Sequence, residues 1–197
     1  MTTLAQAGIY IIQTLGSLYL LVVLLRFLLQ IARADFYNPV SQAIVKLTNP
    51  PLIPLRKIIP GIGGIDLASL VLALVVEIVV IELVHLLIFG AFAAPIRAIA
   101  WAALVCVDIA LNIFFWGLLV SIIFSWVAPY SRHPALLLLH QLMEPVLSPF
   151  RRLLPSMGGL DITPIFAFLA INVLRMFAEG MAAYAEMPAR FWPGYGL

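Results

Sequence analysis

An all-α membrane protein is predicted, with four transmembrane helices arranged as two tandem helix–amphipathic motif–helix repeats in parallel orientation. Three observations carry this prediction. Composition is the first: 64% of residues are hydrophobic, only 10% are charged, and mean hydropathy is +1.12, outside the range of water-soluble domains. The second is a set of four apolar runs, each long enough to cross a bilayer core, which takes about 20 helical residues. The third is a stretch of 29 residues that occurs twice.

Each element follows in chain order. The first repeat covers residues 1–95. Residues 4–31 form an apolar run broken mainly by Gln13 and Arg26. The run lacks a positively charged start and exceeds a signal-peptide core, so it reads as a span. The first motif occupies 38–66 and a second span 67–92. The second repeat covers 96–197, with a span at 96–127, a motif at 133–161, a span at 163–185 and a tail. The span at 96–127 is longer than a bilayer requires, which predicts tilt or an interfacial end. Thr163-Pro164 reads as a helix start, with Thr as N-cap. In the tail, the aromatic residues from Phe191 to Tyr195 read as an interfacial anchor.

The two motifs are NPVSQAIVKLTNPPLIPLRKIIPGIGGID and HPALLLLHQLMEPVLSPFRRLLPSMGGLD, aligned without a gap at an offset of 95. Pro39/Pro134, Pro50/Pro145, Pro54/Pro149, Arg56/Arg151, Pro60/Pro155, Gly63/Gly158, Gly64/Gly159 and Asp66/Asp161 are identical pairs. Matches at one fixed offset are the signature of an internal duplication. Two spans per repeat give both repeats the same orientation and put both motifs on one side. Arg33, Lys46, Arg56, Lys57, Arg132, Arg151 and Arg152 lie on that side, and only Arg97 and Arg190 lie opposite. Cytoplasmic loops carry the excess of Lys and Arg, so the motifs are predicted to be cytoplasmic and both termini outside. Arg26, near the same end of the first span, is expected to snorkel toward the interface.

Each motif divides into three parts. Residues 39–48 and 134–143 read as short amphipathic helices in the membrane interface, each opened by a proline. The proline-rich part follows, from Pro50 to Pro60 and from Glu144-Pro145 to Pro155. Internal prolines cost helix hydrogen bonds, so this part reads as a separate short helical turn with Arg56-Lys57 and Arg151-Arg152 facing anionic headgroups. The third part, Gly63-Gly64-Ile65-Asp66 and Gly158-Gly159-Leu160-Asp161, reads as a tight turn needing positive φ, with Asp capping the next helix. A phosphate loop is disfavoured, because no Lys-Ser/Thr follows the glycines and no strand precedes them.

At these residues the chain resembles the YggT family (YlmG-related) of small integral membrane proteins. The family pattern runs R-x-L-L-S-W, then N-P, then T-E-P-x-L-x-P-x-R-R-x-x-P, then G-G-x-D-x-S-P. The first copy carries it at Arg26, Asn38-Pro39, Thr48-Asn49-Pro50, Pro54-Leu55-Arg56-Lys57, Pro60 and Gly63 to Asp66. The second carries it at Ser125-Trp126, His133-Pro134, Glu144-Pro145, Pro149-Phe150-Arg151-Arg152, Pro155 and Gly158 to Pro164. Asn49 departs from the Glu of the pattern, Ala68-Ser69 from Ser-Pro, and Ser121 stands where the first copy has Arg26. The resemblance implies membrane or division-site organisation, nucleoid distribution, photosynthetic membrane biogenesis, or osmotic tolerance through ion uptake. It brings no catalytic residues.

Within the spans lie Glu77, Glu82, His85, Asp108, Asn112, Asn172, Arg175 and Glu179. Ionisable groups in a bilayer are expensive and point to function by default. One reading is structural: Arg175 pairs with Glu179, Glu77 or Asp108, and Asp108 with Asn112 shares a helix face. The other is a proton or cation path through a polar seam. Glu82-x-x-His85 is a single E-x-x-H where a di-iron bundle needs two with further glutamates, so no metal is expected. Cys106 is alone, which excludes a disulfide framework. A charge of +2 without a basic run argues against nucleic acid. No cofactor, metal or catalytic residue is assigned and no enzyme is expected. The leading expectation is an interaction platform on the cytoplasmic face of a bacterial inner membrane, its partners being anionic lipid headgroups, a membrane protein or further copies of itself. A small oligomeric ion channel or transporter is the alternative.

Overall fold

The computed structural model describes residues 3–153 and 161–192. Six α-helices occupy the described residues: α1 (Thr3–Ile31), α2 (Pro39–Ile58), α3 (Leu67–Phe89), α4 (Pro95–Val127), α5 (Pro134–Leu153) and α6 (Thr163–Tyr184), followed by a short 3-10 turn at Ala189–Phe191. No strand is present among them. Four of the helices, α1, α3, α4 and α6, are long and apolar enough to cross a membrane. The ends of α3 and α4 are set by local chemistry. Gly90 stops α3 in the left-handed region at φ 70°, and Pro95 opens α4 where its missing N–H costs nothing.

The four long helices pack in the order α1 on α3, α3 on α4 and α4 on α6. Helix α1 passes close to α3 at Gly16, where a Cβ would lie 2.3 Å from Cγ2 of Val80. Such close approach is how helices gain van der Waals contact when lipid supplies no hydrophobic drive. One core cluster joins Leu20, Val23 and Leu24 of α1 to Leu52 of α2, Leu72 of α3 and Val105 of α4. A second joins Leu28 of α1 and Leu118 of α4 to Leu142, Met143 and Leu147 of α5 and Ile171 of α6. The amphipathic helices are therefore part of the packed body.

Helices α2 and α5 differ from the broken form expected of them. Each runs unbroken for 20 residues, with Pro50, Pro51 and Pro54 inside α2 and Pro145 and Pro149 inside α5. The physical reason lies in where the prolines face. Ser41, Ile44, Thr48 and Leu52 form the buried stripe of α2, while Lys46, Pro50 and Pro54 occupy the exposed side. The carbonyls that lose their donor to a proline, four residues earlier, therefore sit on an open face where other donors can reach them. Gln141, Pro145 and Pro149 repeat the arrangement on α5.

The tail also departs from expectation. Phe191 is buried, stacked on Trp101 at 5.8 Å between ring centroids, and Trp192 is buried beside Ala178 and Ala182. Trp101 donates from Nε1 to the Ala185 carbonyl at 2.9 Å. These two aromatics fill the protein's own surface rather than an interfacial belt. Residues 193–195 of the expected anchor lie outside the described residues.

Candidate functional site

The two motifs meet. Asn38 Nδ2 donates to the Pro134 carbonyl at 2.7 Å, and the Asp35 amide donates to Gln141 Oε1 at 2.8 Å. Helices α2 and α5 are in direct contact. Asn38 also caps its own helix, accepting from the Val40 amide through Oδ1 at 2.9 Å, so one side chain both starts α2 and ties it to the start of α5. Lys57 and Arg152 are exposed near the far ends of the two helices, beside Arg56 and Arg151.

Each motif then closes on itself through the same residue pair. Arg56 is ion-paired with Asp66 through Nη2 and Oδ2, and Arg151 Nε lies 3.5 Å from Asp161 Oδ2. The proline-rich helix is thus pinned to the start of the following span in both copies. In the first copy the turn between them is a two-glycine reversal. Gly63 and Gly64 have φ of 61° and 83°, flanked by reciprocal hydrogen bonds between Ile62 and Ile65. Positive φ at both central residues is the type I′ geometry that glycine adopts without steric cost. Pro155, Gly158 and Gly159, the partners of Pro60, Gly63 and Gly64, lie outside the described residues.

The aspartates do different local work. Asp66 stands at the N-cap of α3, but its carboxylate makes no bond to the helix amides. It accepts instead from Arg56 and from the Ser69 hydroxyl at 2.6 Å, both at Oδ2. Burial opposes ionisation of Asp66, yet those bonds outweigh it and hold the carboxyl below the ordinary range. Asp161 accepts from the Thr163 hydroxyl at 2.5 Å and the Thr163 amide at 2.9 Å, and these bonds, the hydroxyl's first, lower its carboxyl too. Thr163 is consequently the first residue of α6 rather than its N-cap, with Asp161 supplying the acceptor. The side chain of Asp66 is 6% exposed and that of Asp161 is 50% exposed.

The copies diverge most at the joint between each first span and its motif helix. Arg26 does not snorkel. It is 4% exposed, and its Nη1 donates to Thr48 Oγ1 at 2.6 Å, Asn49 Oδ1 at 2.8 Å and the Val45 carbonyl at 3.3 Å. Three acceptors on α2 hold the guanidinium inside, which is why it does not reach outward. At the matching joint Ser121 Oγ lies 3.3 Å from His140 Nδ1. Glu144, the counterpart of Asn49, turns outward to Arg151 at 2.7 Å. The signal for this was present in the sequence as two departures, Asn49 and Ser121, that only the fold brings to one joint.

The polar groups within the spans separate into four sets. Asp108 is fully buried, accepts from Asn112 Nδ2 at 2.9 Å and lies 3.7 Å from Arg175 Nε, an ion-pair distance longer than a hydrogen bond. Arg175 also sits over the Phe115 ring at 5.8 Å. Glu77 is 4% exposed, and its Oε2 has no hydrogen-bond partner. Glu82 accepts from the Ala93 amide at 3.0 Å and His85 Nδ1 meets the Ala91 carbonyl at 2.7 Å, so both are engaged with the α3–α4 loop. On α6, Asn172 bonds back to the Phe168 carbonyl at 2.9 Å, and Glu179 is exposed.

Comparison with known proteins places the chain in a family. The sequence model of the CCB3/YggT family matches residues 5–87 and again residues 100–182. An uncharacterized protein of Pseudomonas aeruginosa is 52% identical over 190 residues, covering 95% of this chain and 96% of its own length. The uncharacterized protein YggT of Escherichia coli K12 is 42% identical over 180 residues, covering 90% of this chain and 93% of that protein. The chloroplastic YlmG homolog protein 2 of Arabidopsis thaliana is 39% identical over 80 residues, 40% of this chain and 30% of that protein. No solved structure matches the chain. Matched twice along its length and aligned nearly end to end with bacterial relatives, the chain belongs to the CCB3/YggT family.

Proposed function

We propose that the protein is a non-enzymatic organiser of the bacterial inner membrane, whose two motifs form one cytoplasmic platform for anionic headgroups or a membrane-protein partner. The observation that supports this reading is the direct contact of α2 with α5 at their starts, Asn38 to Pro134, in two helices that each carry a cation pair near the far end, Arg56-Lys57 and Arg151-Arg152. On this reading the chain is a tandem duplication with parallel repeats, motifs inside and both termini outside, as the distribution of Lys and Arg favours. Arg56 and Arg151 fasten each motif through Asp66 and Asp161, leaving Lys57 and Arg152 free to address the leaflet. Each such cation is worth roughly 1 kcal/mol near an anionic surface.

The test is reconstitution in vesicles with and without phosphatidylglycerol, with lipid enrichment read by spin-labelled lipids. Wild type should enrich anionic lipid in a salt-sensitive manner, and Lys57→Gln/Arg152→Gln should lose most of that enrichment. Equal enrichment by both proteins would sink the platform.

A second reading, ion or proton movement by an oligomer, is favoured by one observation: Glu77 is buried in α3 with an unpartnered carboxyl oxygen. Exposed Glu179 on α6 gives such an oligomer a polar contact. Cation and proton flux in liposomes should then be abolished by Glu77→Gln. Absence of flux from folded, inserted wild type would remove this reading.

A further inference from the structure

We propose that the cavity beside Arg26, at the joint of α1 and α2, is a binding site for a single anionic phosphate oxygen. Arg26 is a buried cation with no acidic group at ion-pair distance among the described residues. Its Nη1 serves only neutral acceptors, Thr48, Asn49 and the Val45 carbonyl, and its Nε has no hydrogen-bond partner. Arg56 and Asp66 are its charged neighbours, and Asp66 is already engaged by Arg56 and Ser69. A guanidinium so placed has an unmet demand for negative charge, strengthened by the low dielectric around it.

Next to it lies an open-mouthed cavity of about 20 Å³, lined by Arg26, Gln30, Ser41, Ala34 and Phe36 among others, none of them acidic. That space exceeds the roughly 10–15 Å³ that one water-sized occupant needs. It is too small for a whole phosphate group but takes one of its oxygens, the rest remaining at the mouth. Gln30 Nε2, which donates to the Gly64 carbonyl at 3.2 Å, has a second N–H to offer beside the guanidinium. Arginine is suited to phosphate because its donors are fixed in a plane and always charged. Arg26 sits five residues before the end of α1, about 7–8 Å along the axis, so the mouth opens toward headgroup depth. Ser121 occupies the matching place in the second copy, so that joint offers no guanidinium. The oxygen can come from a lipid phosphodiester or from free inorganic phosphate. The inference deepens the headgroup reading and rests on it only for the depth of the mouth.

The experiment is native mass spectrometry of the full chain in detergent, titrated separately with phosphatidylglycerol and with inorganic phosphate. Arg26→Gln removes the charge, and Ala34→Leu fills the cavity while leaving Arg26 in place. Wild type should retain one phosphatidylglycerol at a salt concentration that strips surface-bound lipid, and each variant should weaken it about tenfold, the loss of one charge-assisted contact. Lys57→Gln/Arg152→Gln should leave that tight lipid in place, which separates this site from the platform. Inorganic phosphate binding with the same dependence on Arg26 and Ala34, and displacing the lipid, would assign the site to the free anion. Undiminished binding in Ala34→Leu, or no binding of either probe by wild type, would overturn the proposal and leave the cavity to water. If Arg26→Gln fails to fold, Ala34→Leu decides alone.

Discussion

Two copies of one motif handle charge in opposite ways. In the first, a cation is placed inside: Arg26 is buried against Thr48 and Asn49, and Arg56 closes on a buried Asp66. In the second, the inner position holds Ser121, and charge stays outside as a chain of Glu144, Arg151 and exposed Asp161. The difference is coordinated. Where a carboxylate at the Glu144 position can turn outward to the motif arginine, no inner cation is present. Where Asn49 replaces it, a neutral amide oxygen faces the inner cation. The same backbone frame, a 20-residue proline-bearing helix pinned by an Arg–Asp pair, therefore supports a buried cation at the joint in one copy and, in the other, a buried hydroxyl with the charges left outside.

The largest test of that contrast is truncation at the two joints. Arg26→Ala removes three donated bonds and leaves a void, an expected loss of about 2–4 kcal/mol. Ser121→Ala removes one long contact and should cost under about 1 kcal/mol. Chemical unfolding of each variant in detergent measures both, and equal losses would erase the distinction between the joints.

Next come the closing pairs. Asp66→Asn should cost about 1.5–3 kcal/mol, the range for hydrogen bonds to a buried charged group. Asp161→Asn, in an exposed pair, should cost about 0.2–1 kcal/mol. The pH dependence has a definite sign. Both carboxyls titrate below the ordinary range when folded, so their contribution is complete above the unfolded value of about 3.9 and is lost as pH falls through the lower folded values. Wild type should lose stability on acidification in that window, and Asp66→Asn should flatten the loss more than Asp161→Asn does.

How much of this was legible beforehand depends on the kind of signal. The four apolar helices were plain because crossing a bilayer requires length and apolarity in one uninterrupted run, and nothing tertiary can supply either. The Gly63-Gly64 turn was plain because positive φ at two adjacent residues leaves few other choices. Continuity of α2 and α5 was not, because the rule that proline breaks helices takes the lost hydrogen bond as uncompensated. Pro50, Pro54, Pro145 and Pro149 all face outward, which a list of prolines does not reveal. Arg26 was misplaced for a related reason: a cation near a span end has two destinations, and only the position of Thr48 and Asn49 on a packed α2 chooses between them. Phe191 and Trp192 were drawn inward by Trp101 and by Ala178 and Ala182, partners distant in sequence.

A graft sharpens the comparison further. Asn49→Glu puts the second copy's residue beside the first copy's inner cation, since Asn49 Oδ1 already lies 2.8 Å from Arg26. A buried ion pair roughly breaks even against its desolvation, so stability should change by no more than about 1 kcal/mol. The same variant should release the tight phosphatidylglycerol, because Arg26 then has its counterion. Retention of that lipid beside an intact carboxylate would mean that it is held elsewhere.

The smallest expected effect falls on the outer chain of the second copy. Glu144→Gln removes one side of a pair whose side chains are 55% and 44% exposed. Exposed pairs are worth about 0.2–1 kcal/mol and fade with salt, and Arg151 keeps Asp161 as a partner. The unfolding midpoint should therefore shift slightly at low ionic strength and not at all near 1 M salt, where screening acts within about 3 Å. A loss as large as that of Asp66→Asn, or one that persists in salt, would show that Glu144 is held in a desolvated joint after all. The two copies would then differ in sequence but not in how they carry charge.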